Sequence, residues 1–378
     1  MAACLGRFSS HHGVRGYSSL LAIPPPAFEY QYVEGVEVLE DYRPGGYHPV
    51  QIDDRLHSRY RIIHKLGHGT YSTAWLALDE QTSEYVAVKV GTADADKREA
   101  DILSQISPGI TATGSEAAST LPLALDRFFI DGPNGTHPCL AIVPARCSLR
   151  DAKEASDWRL FQLNVARSLA AQLVMAVFHV HSQGFAHGDL HLGITGDELT
   201  LGEAKFLLID FGVAFRPSDE SRFQSYTPLV LRPPEAFFEP TTPLSFTSDI
   251  WSLSCAIFEL LGHRPLVDGI IAPQDDITAQ QEKWVLRAKW FDATGKPLSN
   301  ERDIWSWDRR FDEWVNGLRP SWGAEVVKGD EKAALLELLR WMLAWRPCER
   351  PSVDEVLKSA WMKQWALPAY KEGRKTWK

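Results

Sequence analysis

The chain has 378 residues, of which 44% are hydrophobic, 11% aromatic and 24% charged, an ordinary globular composition that excludes wholesale disorder. Lys and Arg number 40 against 49 Asp and Glu, a formal net charge of −9, which argues against direct nucleic-acid binding and suits basic partners. No apolar run reaches the ~18 residues a membrane span needs; the best candidate, Leu169 to His181, is interrupted by Gln172 and His179. Cysteines stand at 4, 139, 147, 255 and 348, an odd set without C-x-x-C spacing, so neither a zinc site nor a disulfide framework is expected and a reducing compartment fits.

Residues 1–28 carry Arg7, Arg15 and several serines, with no acid before Glu29. That composition suits a disordered leader and is compatible with a mitochondrial transit peptide. Residues 29–59 read as an arm, with a turn at Pro44-Gly45-Gly46. Tyr60–Leu66, Ser72–Leu78 and Tyr85–Val90 then read as strands and Lys97–Ile106 as a helix. The Ser/Thr/Ala/Gly-rich stretch 107–120 reads as a loop, and Leu123–Ile130 and Cys139–Val143 as two more strands around Gly132-Pro133-Asn134-Gly135. From about Asp157 apolar residues recur at helical spacing, and further helices are expected at Thr247–Leu261, Thr278–Lys289, Asp330–Leu343 and Ser352–Ala360. Strands first and helices second predict an α+β chain of two lobes, 60–145 and 146–366, followed by a basic tail, 367–378.

Four constellations carry chemistry. Leu66-Gly67-His68-Gly69-Thr70-Tyr71-Ser72-Thr73-Ala74 lies between two predicted strands. Its glycines suit either a plain hairpin or a close backbone approach to phosphates. Val86-Ala87-Val88-Lys89 puts a lysine inside an apolar strand, where an ammonium needs a carboxylate partner; Glu99 on the next helix is the candidate. His187-Gly188-Asp189-Leu190 follows a helix and a turn, and the apolar run Phe206-Leu207-Leu208-Ile209, read as a strand, ends in Asp210-Phe211-Gly212. The latter puts a carboxylate at a strand end, where a metal ion is readily held.

The four together, in this order, resemble the eukaryotic-type protein kinases, and the resemblance runs from about Tyr60 to Trp365. Arg232-Pro233-Pro234-Glu235, Ser248-Asp249-Ile250-Trp251-Ser252-Leu253 and Arg350-Pro351-Ser352 continue it. Tyr42 to Val50 (Y-R-P-G-G-Y-H-P-V), Leu56 to Tyr60 and Tyr71-Ser72-Thr73-Ala74-Trp75-Leu76 resemble the SR-protein kinases, especially their fungal relatives. The resemblance implies a bilobal fold with a small β-rich N-lobe and a larger helical C-lobe. It also implies ATP and Mg²⁺ as cofactors. Leu66 to Ala74 would cover the nucleotide phosphates, with Ala87, Lys89 and the backbone of Val143 and Ala145 completing the nucleotide site behind a gatekeeper, Ile142. Glu99 would orient Lys89, Asp189 would take or orient the substrate hydroxyl proton, and Asp210 would bind the metal. Glu235 and Arg350 would brace the peptide-binding segment.

The chain also departs from that pattern. The usual H-x-D-L-K-x-x-N loop reads His187 to Ile194 here, with His191 at the lysine position and Ile194 at the asparagine position. Isoleucine has no donor atom for a metal; Asp197 is the nearby candidate substitute. Gly188 replaces the arginine that clamps a phosphorylated activation segment in many kinases, so activity independent of such phosphorylation is expected. The H-G-D-L-H run is also similar to small-molecule phosphotransferases, whose chains lack the P-P-E and D-I-W-S pair.

Two functional readings follow. One is a serine/threonine protein kinase acting on Arg/Ser-rich, basic protein substrates, with mRNA processing as the setting the resemblance implies. The other is a pseudokinase that binds nucleotide or a partner without efficient transfer, motivated by His191 and Ile194. A monomer with no membrane contact is expected, in the cytoplasm or nucleus by resemblance and in the mitochondrion by the leader's composition. The late tryptophans, among them Trp314 and Trp341, are expected to pack between C-lobe helices.

Overall fold

A computed structural model describes residues 36–113, 120–145, 153, 156–190, 200–266 and 306–377. In the first lobe, β1 (Arg55–Leu56), β2 (Tyr60–Gly69), β3 (Ser72–Asp79), β4 (Glu84–Gly91), β5 (Ala124–Gly132) and β6 (Gly135–Ile142) form one antiparallel sheet in the order β1-β2-β3-β4-β6-β5. Side chains alternate across a strand, and β3 and β4 use that alternation cleanly. Trp75, Ala77, Val86, Val88 and Val90 enter a core on one face with Ile62, Tyr60, Phe128 and Leu56. The intervening residues, Ala74, Ala87 and Lys89 among them, turn toward helix α1 (Arg98–Thr113) and the second lobe.

The second lobe is helical. It contains α2 (Leu163–Ser182), α3 (Glu235–Phe238), α4 (Phe246–Leu261), α5 (Trp307–Phe311), α6 (Gly329–Met342), α7 (Val353–Lys358) and α8 (Leu367–Thr376). Helix α2 is long and apolar enough to cross a membrane, yet most of it is buried inside the protein. It is the axis of the C-lobe, packed by α4, α7 and α8. One continuous apolar core joins Ile102, Leu103, Ile106 and Leu140 of the N-lobe to α2, α4 and α6. Trp251, Trp314 and Trp361 are buried in that core, whereas Trp341 is 42% exposed.

Four expectations need correction. Helix α1 runs on to Thr113, through the stretch read as a loop, even though Pro108 in its interior has no N–H to give the ladder. Residues 206–209 form no strand among the described residues. The amide of Phe206 donates to the Gln172 side chain (2.9 Å) and that of Leu208 to the Thr120 carbonyl (2.8 Å), so the run is satisfied without a ladder. Residues 367–376 are not a solvated basic tail, because α8 buries Ala369, Tyr370 and Gly373 on one face against α2 and the turn at Leu201. Thr73, expected over the nucleotide, is 1% exposed and turns its side chain into the opposite core, where its hydroxyl accepts from the Trp75 indole (2.9 Å). The expected helix at Thr278–Lys289, the leader 1–28, and His191, Ile194 and Asp197 lie outside the described residues.

Candidate active site

The sheet delivers the first half of the site. The hairpin of β2 and β3 pairs through Gly67↔Ala74 and Gly69↔Ser72, with Thr70 and Tyr71 at its tip. A Cβ added at Gly67 or Gly69 would meet nothing within 4 Å. The protein's own packing therefore does not require glycine there; the open space fits a ligand approaching the backbone. Leu66 and Tyr71 are 46% and 52% exposed beside it. Ala87 pairs with Leu76 and Ile142, and Val143 and Ala145 follow β6 as exposed backbone leading to the second lobe.

Lys89 projects from β4 toward α1. Its Nζ lies 2.9 Å from Glu99 and 2.6 Å from the Asp210 carboxylate. Burial works to lower the lysine pKa, but the two carboxylates overcome it and hold the ammonium well above its ordinary value. The partner demanded by a lysine in an apolar strand is thus present twice. Asp210 adopts φ 70°, a left-handed conformation that costs a non-glycine residue about 1–3 kcal/mol and recurs at functional positions. The next residues hold it there: Phe211 is wholly buried, and its amide donates to Glu99 at 3.1 Å. Gly212 borders the same cluster, since a Cβ there would sit in ordinary contact, 3.6 Å from both the Asp210 and Glu99 carboxylates and 3.9 Å from Lys89.

The second lobe delivers Asp189. His187 packs edge-on against the Phe211 ring, with centroids 4.9 Å apart, and its Nε2 lies 3.1 Å from the Ile209 carbonyl. The loop is anchored from below by Asp249 of α4, whose carboxylate accepts from the amides of His187 (2.6 Å) and Gly188 (2.9 Å) and lies 2.9 Å from His181 Nε2. Burial pushes the Asp249 pKa up, but His181 and these donors win and hold it below the ordinary carboxylate value. Gly188 has φ 78°, and a Cβ there would approach the Val213 carbonyl to 2.9 Å, so this position is built for glycine. Thr227 donates to the Gly188 carbonyl at 3.2 Å, tying the following segment to the loop. Burial lowers the Arg232 pKa, opposed by the Asp189 charge. The Glu235–Arg350 pair is fully buried and two-pronged, at 2.7 and 2.9 Å.

The structure therefore brings Lys89, Glu99 and Asp210 into one cluster, and joins the Asp189 loop to Phe211 through His187. Sequence reasoning gave Asp249 no role. An acid at the head of the largely apolar run from Ile250 to Leu261 was the available signal, the same argument that paired Lys89. It also passed over Tyr47, whose hydroxyl reaches the glycine hairpin at 2.7 Å. A hard divalent cation such as Mg²⁺ takes oxygen ligands, commonly one or two carboxylates plus phosphates. Asp210, 52% exposed at its side chain, fits as one such ligand; no group of three or more metal-ligating side chains occurs among the described residues.

Comparison with known proteins agrees with this geometry. The protein kinase domain model matches residues 60–362. A serine/threonine protein kinase of Aspergillus fumigatus is 26% identical over 371 residues, covering 86% of this chain and 91% of its own. Protein kinase dsk1 of Schizosaccharomyces pombe is 35% identical over 162 residues, which is 41% of this chain and 29% of that protein. The serine/threonine-protein kinase SRPK of Physarum polycephalum is 32% identical over 161 residues, 41% of this chain and 37% of that protein. The chain belongs to the protein kinase domain family.

Proposed function

We propose that this chain transfers the γ-phosphate of ATP, with Mg²⁺, to serine and threonine hydroxyls in Arg/Ser-rich proteins. The observation that carries the reading is the Lys89–Glu99–Asp210 cluster, set beside a glycine hairpin whose upper surface is open. In this reading Gly67 to Ser72 hold the phosphates from above, and Lys89 neutralises them, fixed by Glu99. Asp210 would hold the metal, which supplies further charge neutralisation when bound. Asp189 orients the attacking hydroxyl and takes its proton. Phosphoryl transfer needs little else from a protein beyond position and charge. The substrate class rests on the SR-kinase motifs at Tyr42–Val50 and Tyr71–Leu76, and the net charge of −9 suits a basic peptide.

Ile194 and His191 favour a second reading, a domain that binds nucleotide or a partner without efficient transfer. Transfer from labelled ATP to an Arg/Ser-repeat peptide separates the two, with Asp210→Ala as control. Transfer that disappears in the control supports the kinase reading. Folded protein with no transfer above the control supports the second. In that event Ile194→Asn raises turnover if a missing metal ligand is the defect.

A further inference from the structure

The arm that precedes the first strand does more than lead into the fold. The arm turns sharply at Arg43–Gly46, where both glycines are required. Gly45 has φ 88°, and a Cβ on Gly46 would lie 1.9 Å from the Asp41 carbonyl. Beyond the turn the backbone is bolted to two places. Gly45 N donates to the Asn134 carbonyl (2.8 Å), and the Asn134 side chain donates to the Tyr47 carbonyl (2.6 Å). Ala93 and Asp94, just past the Lys89 strand, donate to the carbonyls of Gly46 (3.0 Å) and Gly45 (2.9 Å). Tyr47 itself is 5% exposed. From this anchorage its hydroxyl donates to the Gly69 carbonyl at 2.7 Å, with the Thr70 carbonyl at 3.3 Å.

Those two carbonyls are at the tip of the glycine hairpin. Gly67 and Gly69 find no neighbours for a Cβ within 4 Å, so the hairpin has little side-chain packing of its own to fix its height. We propose that Tyr47 is a positioning residue: a tether from the arm that holds the tip of the glycine hairpin at one distance from Lys89, so that the nucleotide phosphates meet a preset roof. The proposal rests on the nucleotide reading of that hairpin. The tether ties the tip to the chain just beyond β4, the strand that carries Lys89. Both sides of a phosphate site are thereby referenced to one anchor. Burial, Asp41 and Glu37 all push the Tyr47 phenol pKa up, so the hydroxyl stays a donor through neutral pH.

The test uses the full chain with Tyr47→Phe, which keeps the ring and removes the donor. Tyr42→Phe is the control, since that hydroxyl donates to Glu37 within the arm. Loss of one neutral hydrogen bond should speed hydrogen exchange at residues 66–72 by about three- to tenfold. KM for ATP should rise by a similar factor, with KM for peptide and the melting temperature unchanged, and Tyr42→Phe should move none of these. Unchanged exchange at the hairpin beside normal wild-type turnover overturns the tether. A parallel rise in both KM values, or a lowered melting temperature, overturns the positioning role in favour of general support. Wild-type protein that binds no ATP overturns the nucleotide reading instead, and the exchange measurement distinguishes the two failures because it needs no nucleotide.

Discussion

Replacing Arg350 by Met is the sharpest test of how the C-lobe holds the segment around Glu235. The guanidinium donates twice to Glu235 and also to the carbonyls of Ala344 (2.8 Å), Thr247 (2.9 Å) and Trp345 (3.0 Å). Its side chain and that of Glu235 are 0% and 1% exposed. In Arg350→Met the Glu235 carboxylate keeps only Ser248, at 2.8 Å, among the partners described here. Breaking such a buried pair costs about 3–5 kcal/mol. At roughly 2–4 °C per kcal/mol for a unit of this size, melting should fall by about 6–20 °C. Arg350→Lys should fall between, because an ammonium cannot make the two-pronged contact. The double variant Glu235→Met/Arg350→Met removes both charges, so it should recover part of the loss, giving a coupling of about 2 kcal/mol or more. Calorimetry on the wild type, Glu235→Met, Arg350→Met, Arg350→Lys and the double variant reads all of this. A drop below ~2 °C in Arg350→Met, or a double variant as unstable as the two singles summed, would refute the reasoning.

Restoring the family's arginine with Gly188→Arg should not raise turnover. It should lower the melting temperature, because φ 78° and the Val213 carbonyl at 2.9 Å leave no room for a Cβ; a faster, equally stable variant counts against the geometry. Phosphatase treatment should leave transfer unchanged, because Glu220 in the activation segment already pairs with Arg98 of α1 (2.9 Å) and with Arg222. Glu220→Gln should slow transfer about two- to tenfold, as expected for exposed charge pairs and hydrogen bonds. Loss of activity after phosphatase would contradict that account. His48 faces His137 edge-on at 4.8 Å. Burial and that imidazole push its pKa below 6.5, against a smaller pull from Asp54. The unfolded chain therefore binds the proton more readily, and stability should fall as pH drops through 6.5. His48→Phe should flatten that slope, as read from melting temperatures between pH 5 and 8; an unchanged slope rejects the assignment.

What could be read beforehand divides along physical lines. The Lys89 partner was legible because a charge in an apolar strand demands one nearby, and Glu99 was within a helix of it. Asp189 and Asp210 were legible through motif order. Thr73 was misplaced because Leu66 to Ala74 was treated as a continuous cover, whereas a strand shows alternate residues to alternate faces. The run 206–209 looked like a strand because an apolar stretch carries no mark of whether a ladder awaits it; its donors went instead to Gln172 and Thr120. In α8 the basic residues hid the short-spaced Ala369, Tyr370 and Gly373. Tyr47 reaching Gly69 and Asp249 reaching Gly188 are contacts between distant parts of the chain, which local pattern does not encode.

The seating of α8 against α2 also has a consequence in time. Synthesis completes α2 at Ser182 and reaches Leu367 roughly 185 residues later, about 10–40 s at ordinary elongation rates. Through that interval the long apolar helix at the centre of the lobe waits without the partner that covers part of its surface. A nascent chain of this protein is thus most exposed to mispairing in its middle rather than at its start, and a stall before Leu367 would leave that surface open to chaperones or to other chains.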